Sequence, residues 1–458
     1  MNKNTKVKIS DFLENEYKSY VFYVLENRAL PSIVDGFKTG ARKILHAAFN
    51  GSLKGNTQKK LLNLSGDTLN LSLYAHGDAS LNGTIVTLAQ DFKFNLNPLF
   101  IDGQYGKLRS PKAISAPRYL YVQQSKYANI YKTDYDLLDF IFEEGQYVEP
   151  KYYLPIIPVV LVNRQEGMAP GYKFSTMSYN PLDIIDSCIK CLTIKKDPLK
   201  NVILKPYIRG IDKKNWRFED DKWVNYGVWE VNEKKNILTV KDLPYGTSFE
   251  DFEKLLNKYI DNEYIKDWKN QSNGDEIHYD IIFNKGDLTK ELNGRSGVNK
   301  IINSFKLKQV VPQDLLWVLD ENDKIKNFNS PKELIEYFVN FRLTIYKERK
   351  KRLVKILEER LKVNSDLCRF IELVCDGKLV ITNHSKVDIG NDMKVFKLPM
   401  NLISTPMSKC TIEERNELLK ENESIKKQLE YIKNTTEVQM YVNDLNDLKN
   451  ELSKEFKQ

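Results

Sequence analysis

Tyr119 is the residue in this chain with the clearest potential for covalent chemistry. It lies in the segment AISAPRYLYVQQS, directly after Arg118. A free phenol has a pKa of ~10, so a nucleophilic tyrosine needs a metal ion, a base or a cation nearby. Arg118 supplies a permanent positive charge, and its guanidinium can hold two phosphate oxygens in parallel. The pair alone is a weak signal, because most tyrosines are structural and Arg118 could instead form a salt bridge at a strand end.

A strongly basic stretch precedes the tyrosine. Between Arg28 and Lys60, seven lysine and arginine residues stand against the single carboxylate of Asp35, which gives a net charge of +6 on 33 residues. Such a concentration of cations is typical of a phosphate-binding surface, although in an unrelated chain it would be a solvated face. The whole chain of 458 residues carries a formal charge of +8, which suits a polyanionic partner without identifying one.

Cysteine content and hydropathy indicate a cytoplasmic protein. Five cysteines in a long, lysine-rich chain do not make a disulfide framework, so a reducing compartment is expected. Cys188 and Cys191 form a lone C-x-x-C, which predicts a buried helix face and no metal site. We expect no signal peptide and no contact with a membrane, because the longest apolar run, residues 152–162, is half the length of a membrane span.

Hydrophobic periodicity predicts several short helices in the basic region, with an extended stretch at residues 98–108 after them. Asp78 is expected to cap the last of these helices. Short helices among basic residues, followed by extended chain, suit a winged helix-turn-helix unit. The predicted helices cover residues 9–27, 40–49, 57–64 and 79–91.

The middle and the end of the chain have different patterns. The alternating segment WEVNEKKNILTVKDLP predicts a β-hairpin in a mixed domain of helices and strands. After Pro331 the apolar spacing predicts a helix of thirty-odd residues, and a second stripe from Leu418 to Leu452 has the polar Asn422 in its seam. Two long helices that bracket a small globular domain favour an antiparallel coiled-coil stalk, with an ordinary helical bundle as the alternative.

Four segments in order resemble the breakage-reunion part of type IIA DNA topoisomerases, the family of gyrase A subunits and eukaryotic topoisomerase II. Each motif alone is weak, but their order and spacing are those of the family. In its length and in the eukaryote-like form of its motifs, the chain is most similar to the DNA-cleaving topoisomerase subunits of T-even bacteriophages. The segments are RALPSIVDGFKTGARKILHAAFNG (28–51), YAHGDASLNGTIVTLAQDF (74–92), IDGQYGKLRSPKAISAPRYLYV (101–122) and EPKYYLPIIPVVLVNRQEG (149–167).

The resemblance implies an α+β multidomain fold. Residues 1–150 would form a winged-helix DNA-gate domain with the catalytic tyrosine, and residues 151–330 a mixed α/β tower domain. Residues 331–375 and 418–458 would form the coiled-coil stalk, with a small exit-gate head at 376–417 that joins two copies into a homodimer.

The resemblance also implies the roles of individual residues. Tyr119 would become linked to a 5′ phosphate, so that the phosphodiester energy is conserved and resealing needs no other source. Arg118 would stabilise charge on the phosphoryl oxygens. Met168 stands where the family usually carries an isoleucine that wedges between base pairs. The residues expected to hold double-stranded DNA near the cut are Arg28, Lys38, Arg42, Lys43 and His76.

Cofactors and partners are expected to lie outside this chain. No segment matches a phosphate loop or the family's ATPase and acidic metal-binding (Toprim) domains. Asp134, Asp136 and Asp139 are interpreted as the solvated face of a helix, not as a magnesium site. A large partner subunit would therefore bind ATP and hold Mg²⁺. We also expect no DNA-wrapping domain after residue 458, and so relaxation and decatenation without introduction of negative supercoils.

Two other classes of protein compete with this interpretation. A dimeric DNA-binding clamp or scaffold would share the basic surface and the helices, but its tyrosine would be inert. Tyrosine recombinases and relaxases use several arginines or a histidine-rich metal site around the tyrosine, and four scattered histidines do not fit that pattern.

Overall fold

The computed structural model describes residues 8–55, 57–273, 276–293, 297–380, 385–406 and 410–457. The chain divides into two units, one formed by Met1–Val339 with Leu445–Gln458 and the other by Asn340–Asp444. Both helices and strands are present, as the sequence predicted. In the part of the chain that the structure describes, no helix is both long and apolar enough to cross a membrane.

Fifteen α-helical segments are found in the described residues. They are α1 (Ile9–Asp11), α2 (Lys18–Val24), α3 (Thr39–Asn50), α4 (Leu61–Leu71), α5 (Asp78–Ala89), α6 (Ala128–Tyr131), α7 (Val159–Val162), α8 (Pro181–Thr193), α9 (Phe249–Asp261), α10 (Asp287–Asn293), α11 (Gly297–Ser304), α12 (Pro331–Cys375), α13 (Lys386–Val395), α14 (Ile412–Asn434) and α15 (Glu437–Phe456).

The described strands all belong to the first unit and pair antiparallel in six small sheets, of order β1-β5-β2, β3-β4, β6-β7, β10-β11-β16, β12-β13-β15-β14 and β18-β17-β9-β8. They are β1 (Lys59–Lys60), β2 (Leu99–Asp102), β3 (Tyr105–Lys107), β4 (Ser110–Ile114), β5 (Tyr121–Gln124), β6 (Phe140–Glu143), β7 (Gln146–Pro150), β8 (Glu166–Ala169), β9 (Tyr172–Ser175), β10 (Trp216–Glu219), β11 (Lys222–Tyr226), β12 (Val228–Asn232), β13 (Ile237–Asp242), β14 (Asp267–Asn270), β15 (Tyr279–Ile282), β16 (Lys308–Val310), β17 (Leu315–Leu319) and β18 (Ile325–Phe328).

The first predicted helix is present, but it is irregular. Two π-helical turns, Phe12–Tyr17 and Leu25–Ala29, alternate with α1 and α2. The segment ends before Pro31, whose ring disfavours helical backbone in the residue before it. Its aromatic side chains are largely exposed in this chain, and Leu25 and Ala29 anchor its end in the core.

Three helices of the basic region match the predicted ones in type. The helix predicted at 79–91 is α5, and its expected stripe of Leu81, Ile85, Leu88 and Ala89 is buried. The third predicted helix begins later than expected, because Lys59 and Lys60 pair with β5 as a short strand. The expected capping role of Asp78 is wrong: Gly77 occupies the N-cap position, and Asp78 lies in the first turn without a side-chain capping bond. In the first turn its negative charge still interacts favourably with the positive end of the helix dipole.

The middle of the chain contains the predicted hairpin. β12 and β13 pair antiparallel, with Asn232 opposite Ile237 across the turn. The inward side chains of this sheet, such as Leu238 and Val240, join those of α9 and α11 in a core cluster. Cys188 is buried on α8 and Cys191 half-buried, as predicted for a helix face.

The described part of the second unit is helical, and α12 runs antiparallel to α14 and α15. Tyr346 stacks on Tyr441 at 4.6 Å between ring centres, and the Lys433 ammonium lies 2.7 Å from the Glu358 carboxylate. Asn422 is buried in this seam, as its spacing predicted. The residues between α12 and α14 share a core with the end of α12, in which Phe370 and Ile371 of α12 and Met393 of α13 are fully buried.

Candidate nucleic-acid interface and cleavage site

The Tyr119 side chain projects from a rigid turn between two strands. β4 leads into the 3₁₀ turn Pro117–Tyr119, and β5 begins two residues after Tyr119. The Tyr119 amide donates to the Ala116 carbonyl at 2.9 Å. The next residue, Leu120, is fully buried and fixes the turn, whereas the Tyr119 side chain is 67% exposed. The backbone of this turn therefore fixes the position of Tyr119, and the phenol is exposed to solvent.

Arg118 accompanies the tyrosine. Its guanidinium carbon lies 5.8 Å from the centre of the Tyr119 ring, and its side chain is exposed. The alternative role, a salt bridge at a strand end, is not seen among the described residues. A fixed cation this close can meet the charge on a phosphate that the phenol attacks.

The segment before the tyrosine forms a hairpin of two strands. Tyr105 and Gly106 belong to β3, which pairs with β4. Gly106 has φ +90, and a Cβ there would lie 2.8 Å from the Pro111 carbonyl, so only glycine fits. The Gln90 side-chain amide donates to the Tyr105 carbonyl at 2.7 Å and ties the hairpin to the end of α5.

A cavity of 1080 Å³ brings together three of the predicted DNA-binding residues. Arg28, Lys38 and His76 all line it, although they come from three separate parts of the first unit. Tyr119, Arg118 and Met168 do not line it. Three further charged residues, to which sequence reasoning gave no role, also line it: Lys93, Arg164 and Glu166.

Arg28 and His76 are direct neighbours in this cavity. Arg28 Nη2 lies 3.4 Å from His76 Nδ1. A guanidinium can only donate, so Nδ1 accepts, and the proton of the neutral ring is assigned to Nε2. Partial burial lowers the pKa of His76, and the charges of Arg28 and Lys43 lower it further. Neutral His76 can therefore offer its Nε2–H to a phosphate oxygen.

Replacement of His76 tests this assignment. Glutamine places an N–H near the position of Nε2, whereas asparagine reproduces only the Nδ1 side. We expect His76→Asn to weaken DNA binding by about 10-fold or more, the cost of a hydrogen bond to a charged group, and His76→Gln to remain within about threefold of wild type. Fluorescence anisotropy with a duplex measures both. Equal losses in the two variants would contradict the Nε2 assignment.

Lys38 connects the Asp35-Gly36 turn to β8. Its ammonium donates to the Glu166 backbone carbonyl at 2.7 Å. Burial lowers the pKa of Lys38, and the charge of Glu166 opposes this shift. Lys38 therefore has a structural contact on one side and faces the cavity on the other.

The structure places Arg42 in the core of the first unit, where the sequence predicted a contact with DNA. Its side chain is buried, with Nε 3.3 Å from Asp35 Oδ2 and Nη1 donating to the Lys151 carbonyl at 2.5 Å. Asp35 is fully buried and also accepts from the amides of Phe37 and Tyr153, at 2.9 and 3.0 Å. Burial raises the pKa of Asp35, and Arg42 opposes this shift. Arg42 thus neutralises a buried carboxylate and is not available to phosphate.

Lys43, which was also predicted to contact DNA, likewise has protein partners in the structure. Its ammonium lies 2.9 Å from the buried Glu149 carboxylate and 3.7 Å from Glu143, and it donates to the Ser72 carbonyl at 2.7 Å. Burial raises the pKa of Glu149, against the effect of Lys43. The lysine is committed to holding α3 against β6 and β7.

Met168 is presented on β8, with 76% of its side chain exposed. The residue before it, Gly167, is buried against Ala29, the last residue of the first helical segment. A Cβ at Gly167 would overlap the Ala29 carbonyl oxygen and lie 3.4 Å from the Lys38 ammonium. The absence of a side chain at Gly167 therefore sets the position from which Met168 projects.

Gly167→Ala is expected to displace β8. Overpacking of this kind costs about 1–3 kcal/mol, and a backbone oxygen cannot move aside as a side chain can. We expect a lower melting temperature and weaker bending of a bound duplex, measured by thermal unfolding and by energy transfer between dye-labelled DNA ends. Gly66→Ala in α4, where a Cβ meets nothing within 4 Å, is the control and should not destabilise the protein. An unchanged melting temperature and bend in the Gly167 variant would refute this role.

The acidic residues after the tyrosine segment do not form the predicted helical face. Asp134 lies in a turn with φ 53, and Asp136 lies in the 3₁₀ turn Tyr135–Leu137 ahead of β6. Within the described ranges, no group of three His, Cys, Asp or Glu side chains could hold a metal ion.

Comparison with known proteins places this geometry in a family. The sequence model of the A subunit of DNA gyrase/topoisomerase IV matches residues 28–449, a span that includes the tyrosine segment, α12, α14 and all but one of the residues that line the cavity. The chain belongs to this family. The resemblance seen in the four sequence segments is thereby confirmed.

Eukaryotic type II topoisomerases are among the relatives of this chain. It is 32% identical over 389 residues to the mitochondrial DNA topoisomerase 2 of Dictyostelium discoideum, covering 84% of this chain and 29% of that protein. It is 30% identical over 437 residues to DNA topoisomerase 2 of Caenorhabditis elegans, covering 93% of this chain and 28% of that protein. The family member thus spans less than a third of either relative.

A solved structure has the same fold. The DNA-binding, cleavage and re-ligation domain of Plasmodium falciparum topoisomerase II superposes with a TM-score of 0.83 at 24% identity, covering 98% of this chain and 66% of the other. The helices and strands of this chain are therefore arranged as in that domain.

Proposed function

We propose that this chain is the DNA-cleaving and rejoining part of an ATP-dependent type II DNA topoisomerase. The observation that carries the proposal is the exposed Tyr119 phenol beside Arg118, in a chain that belongs to the gyrase A family. The enzyme would cut one duplex, pass a second through the gap and reseal the first, giving relaxation and decatenation.

The chemistry follows from the tyrosine. Its phenolic oxygen attacks the phosphorus of a DNA phosphodiester and loses its proton. The bond from phosphorus to the 3′ oxygen breaks, and that oxygen leaves as a protonated 3′ hydroxyl. The resulting 5′-phosphotyrosyl link conserves the bond energy, so the reverse attack by the 3′ hydroxyl reseals the strand. Arg118 stabilises charge on the phosphoryl oxygens during both steps.

Other residues position the DNA. Arg28, Lys38 and His76 face one cavity and would hold the backbone near the cut. Met168 would enter the base stack, which costs a few kcal/mol of unstacking and bends the duplex towards the protein. The exposure of Met168 supports this role, since an apolar side chain at that position has no packing function.

The domain roles follow the resemblance. Residues 1–150 would form the winged-helix DNA-gate domain and residues 151–330 the tower domain. Residues 331–375 and 418–458 would form a coiled-coil stalk, with a dimerisation head at 376–417. The antiparallel contacts of α12 with the later helices support the stalk, and two copies would make a homodimer with one Tyr119 for each strand.

Magnesium and ATP would be bound outside these 458 residues. Type II topoisomerases use both, and we propose that a large partner subunit with ATPase and Toprim-type domains supplies them. An enzyme of separate subunits would resemble that of T-even bacteriophages and would act in the cytoplasm of the host cell. Alone, this chain is expected to bind DNA and to cleave it poorly or not at all.

Trapping of the cleaved state tests the proposal against the DNA-clamp alternative. The chain, assembled with the subunits that complete its enzyme, is incubated with supercoiled plasmid, magnesium and ATP and then denatured with detergent. We expect relaxed plasmid before detergent, and linear DNA with protein attached to its 5′ ends after it. DNA binding by the same assembly without relaxation and without attached protein would favour the clamp.

A further inference from the structure

A cluster of charged side chains lies at the start of β8, and of its members only Lys38 has a role above. Arg164 Nη2 lies 2.5 Å from Glu166 Oε1, and the Lys38 ammonium contacts the Glu166 backbone carbonyl at 2.7 Å. The Arg164 amide donates to the Lys93 carbonyl at 2.9 Å, so the segment that carries Lys93 lies beside Arg164. All four residues line the cavity that also contains Arg28 and His76.

The charges in this cluster are not balanced. Three cations, Lys38, Lys93 and Arg164, stand against the one carboxylate of Glu166. Within the described residues, no hydrogen bond or ion pair holds the Lys93 ammonium. Burial lowers the pKa of Lys93, the charge of Arg164 lowers it further, and Glu166 opposes both effects. An additional anion in the cavity would relieve this repulsion.

The position of Arg164 is fixed while its charge remains accessible. Its guanidinium carbon lies 4.9 Å from the ring centre of Tyr245, in the distance range of cation–π contact. Its side chain is 32% exposed, and that of its partner Glu166 is 58% exposed. Ion pairs this exposed contribute little to stability, so a phosphate can compete with the carboxylate for Arg164.

We propose that Lys93 and Arg164, together with Lys38, form a phosphate-binding site beside Met168. In the free protein the Glu166 carboxylate occupies this site. The ligand is a phosphodiester of the duplex that Met168 bends, so the inference rests on the proposed function. Met168 lies two residues beyond Glu166 on the same strand. A phosphate held at the start of β8 would keep the DNA backbone in place while the Met168 side chain enters the stack of base pairs. Glu166 must turn away when the DNA binds.

Salt dependence of DNA binding tests the site. Each phosphate contact adds about 0.9 to the slope of log affinity against log salt concentration. Lys93→Gln and Arg164→Gln should each lower that slope by about one, so that affinity falls roughly threefold less between 50 and 200 mM salt. Arg164→Lys should retain the slope. Lys195→Gln, an exposed lysine after α8, makes the same change in net charge and should leave the slope as in wild type.

Glu166→Gln tests the competing carboxylate. Its removal should tighten binding of a 30-base-pair duplex by about threefold to tenfold at low salt, because the phosphate no longer displaces an ion pair. Unchanged or weaker binding by this variant would overturn that part of the inference. Slopes of the Lys93 and Arg164 variants equal to that of Lys195→Gln, in proteins that melt as wild type, would overturn the site. The proposed function would survive these results if wild type still gave the covalent adduct, and would fail if it did not.

Discussion

Tyr119→Phe is expected to abolish DNA cleavage and relaxation while leaving DNA affinity within about twofold of wild type. Loss of the nucleophile removes the covalent route, and the loss of activity should be on the order of 10⁴-fold or more. Binding should persist because the cations and Met168, which would hold the duplex, are untouched. The side chain is exposed and its turn is held by Leu120 and the backbone, so folding should not change. Plasmid relaxation and anisotropy measure the two quantities.

Tyr121→Phe is the matched control. Tyr121 lies two residues away on β5, with 42% of its side chain exposed, and pairs with Lys60 and Asp102 in the sheet. This variant removes the same hydroxyl from the same segment and should keep full activity. Relaxation by Tyr119→Phe at the wild-type rate, or its loss in Tyr121→Phe alone, would show that the nucleophile lies elsewhere.

Arg42→Ala is expected to destabilise the protein by about 3–5 kcal/mol, because it leaves the buried Asp35 carboxylate without its cation. That carboxylate organises the turn before α3 through the amides of Phe37 and Tyr153. Thermal unfolding should show a clear fall in melting temperature. The protein that remains folded at low temperature should bind DNA with close to wild-type affinity.

Arg28→Ala provides the opposite pattern. Arg28 is exposed at the mouth of the cavity beside His76, so its loss should weaken DNA binding by a factor of about ten with little change in melting temperature. If Arg42→Ala instead lowered affinity without lowering stability, the structural role assigned to Arg42 would be refuted.

Local patterns predicted the elements of the fold well. The stripe of α5 and the hairpin of β12 and β13 could be read from spacing because each buries one face against a nearby core. The break between α14 and α15 also has a local signal that the apolar stripe concealed. Thr436 accepts from the Gln439 amide at 3.2 Å, and Thr-Glu-Val-Gln is the pattern of a helix N-terminal cap.

The candidate site was only partly predictable, for a physical reason. Arg28 and Arg42 belong to one basic stretch, and nothing local shows that Arg42 has Asp35 as its partner in the folded core. Lys43 meets Glu149, a residue 106 positions away. Lys93 and Arg164 join the cavity because chain segments far apart in sequence lie side by side. Charge alone cannot separate a cation that binds phosphate from one that neutralises a buried carboxylate.

Identification of the amino acid joined to DNA tests the central claim most directly. Cleaved complexes of the assembled enzyme are trapped with detergent, digested with nuclease and trypsin, and sequenced by mass spectrometry. Trypsin cuts after Arg118 and Lys126, so we expect the peptide YLYVQQSK with a nucleotide on its first residue, Tyr119. A nucleotide on Tyr121, on another residue of the chain or on no residue of this chain would contradict the account.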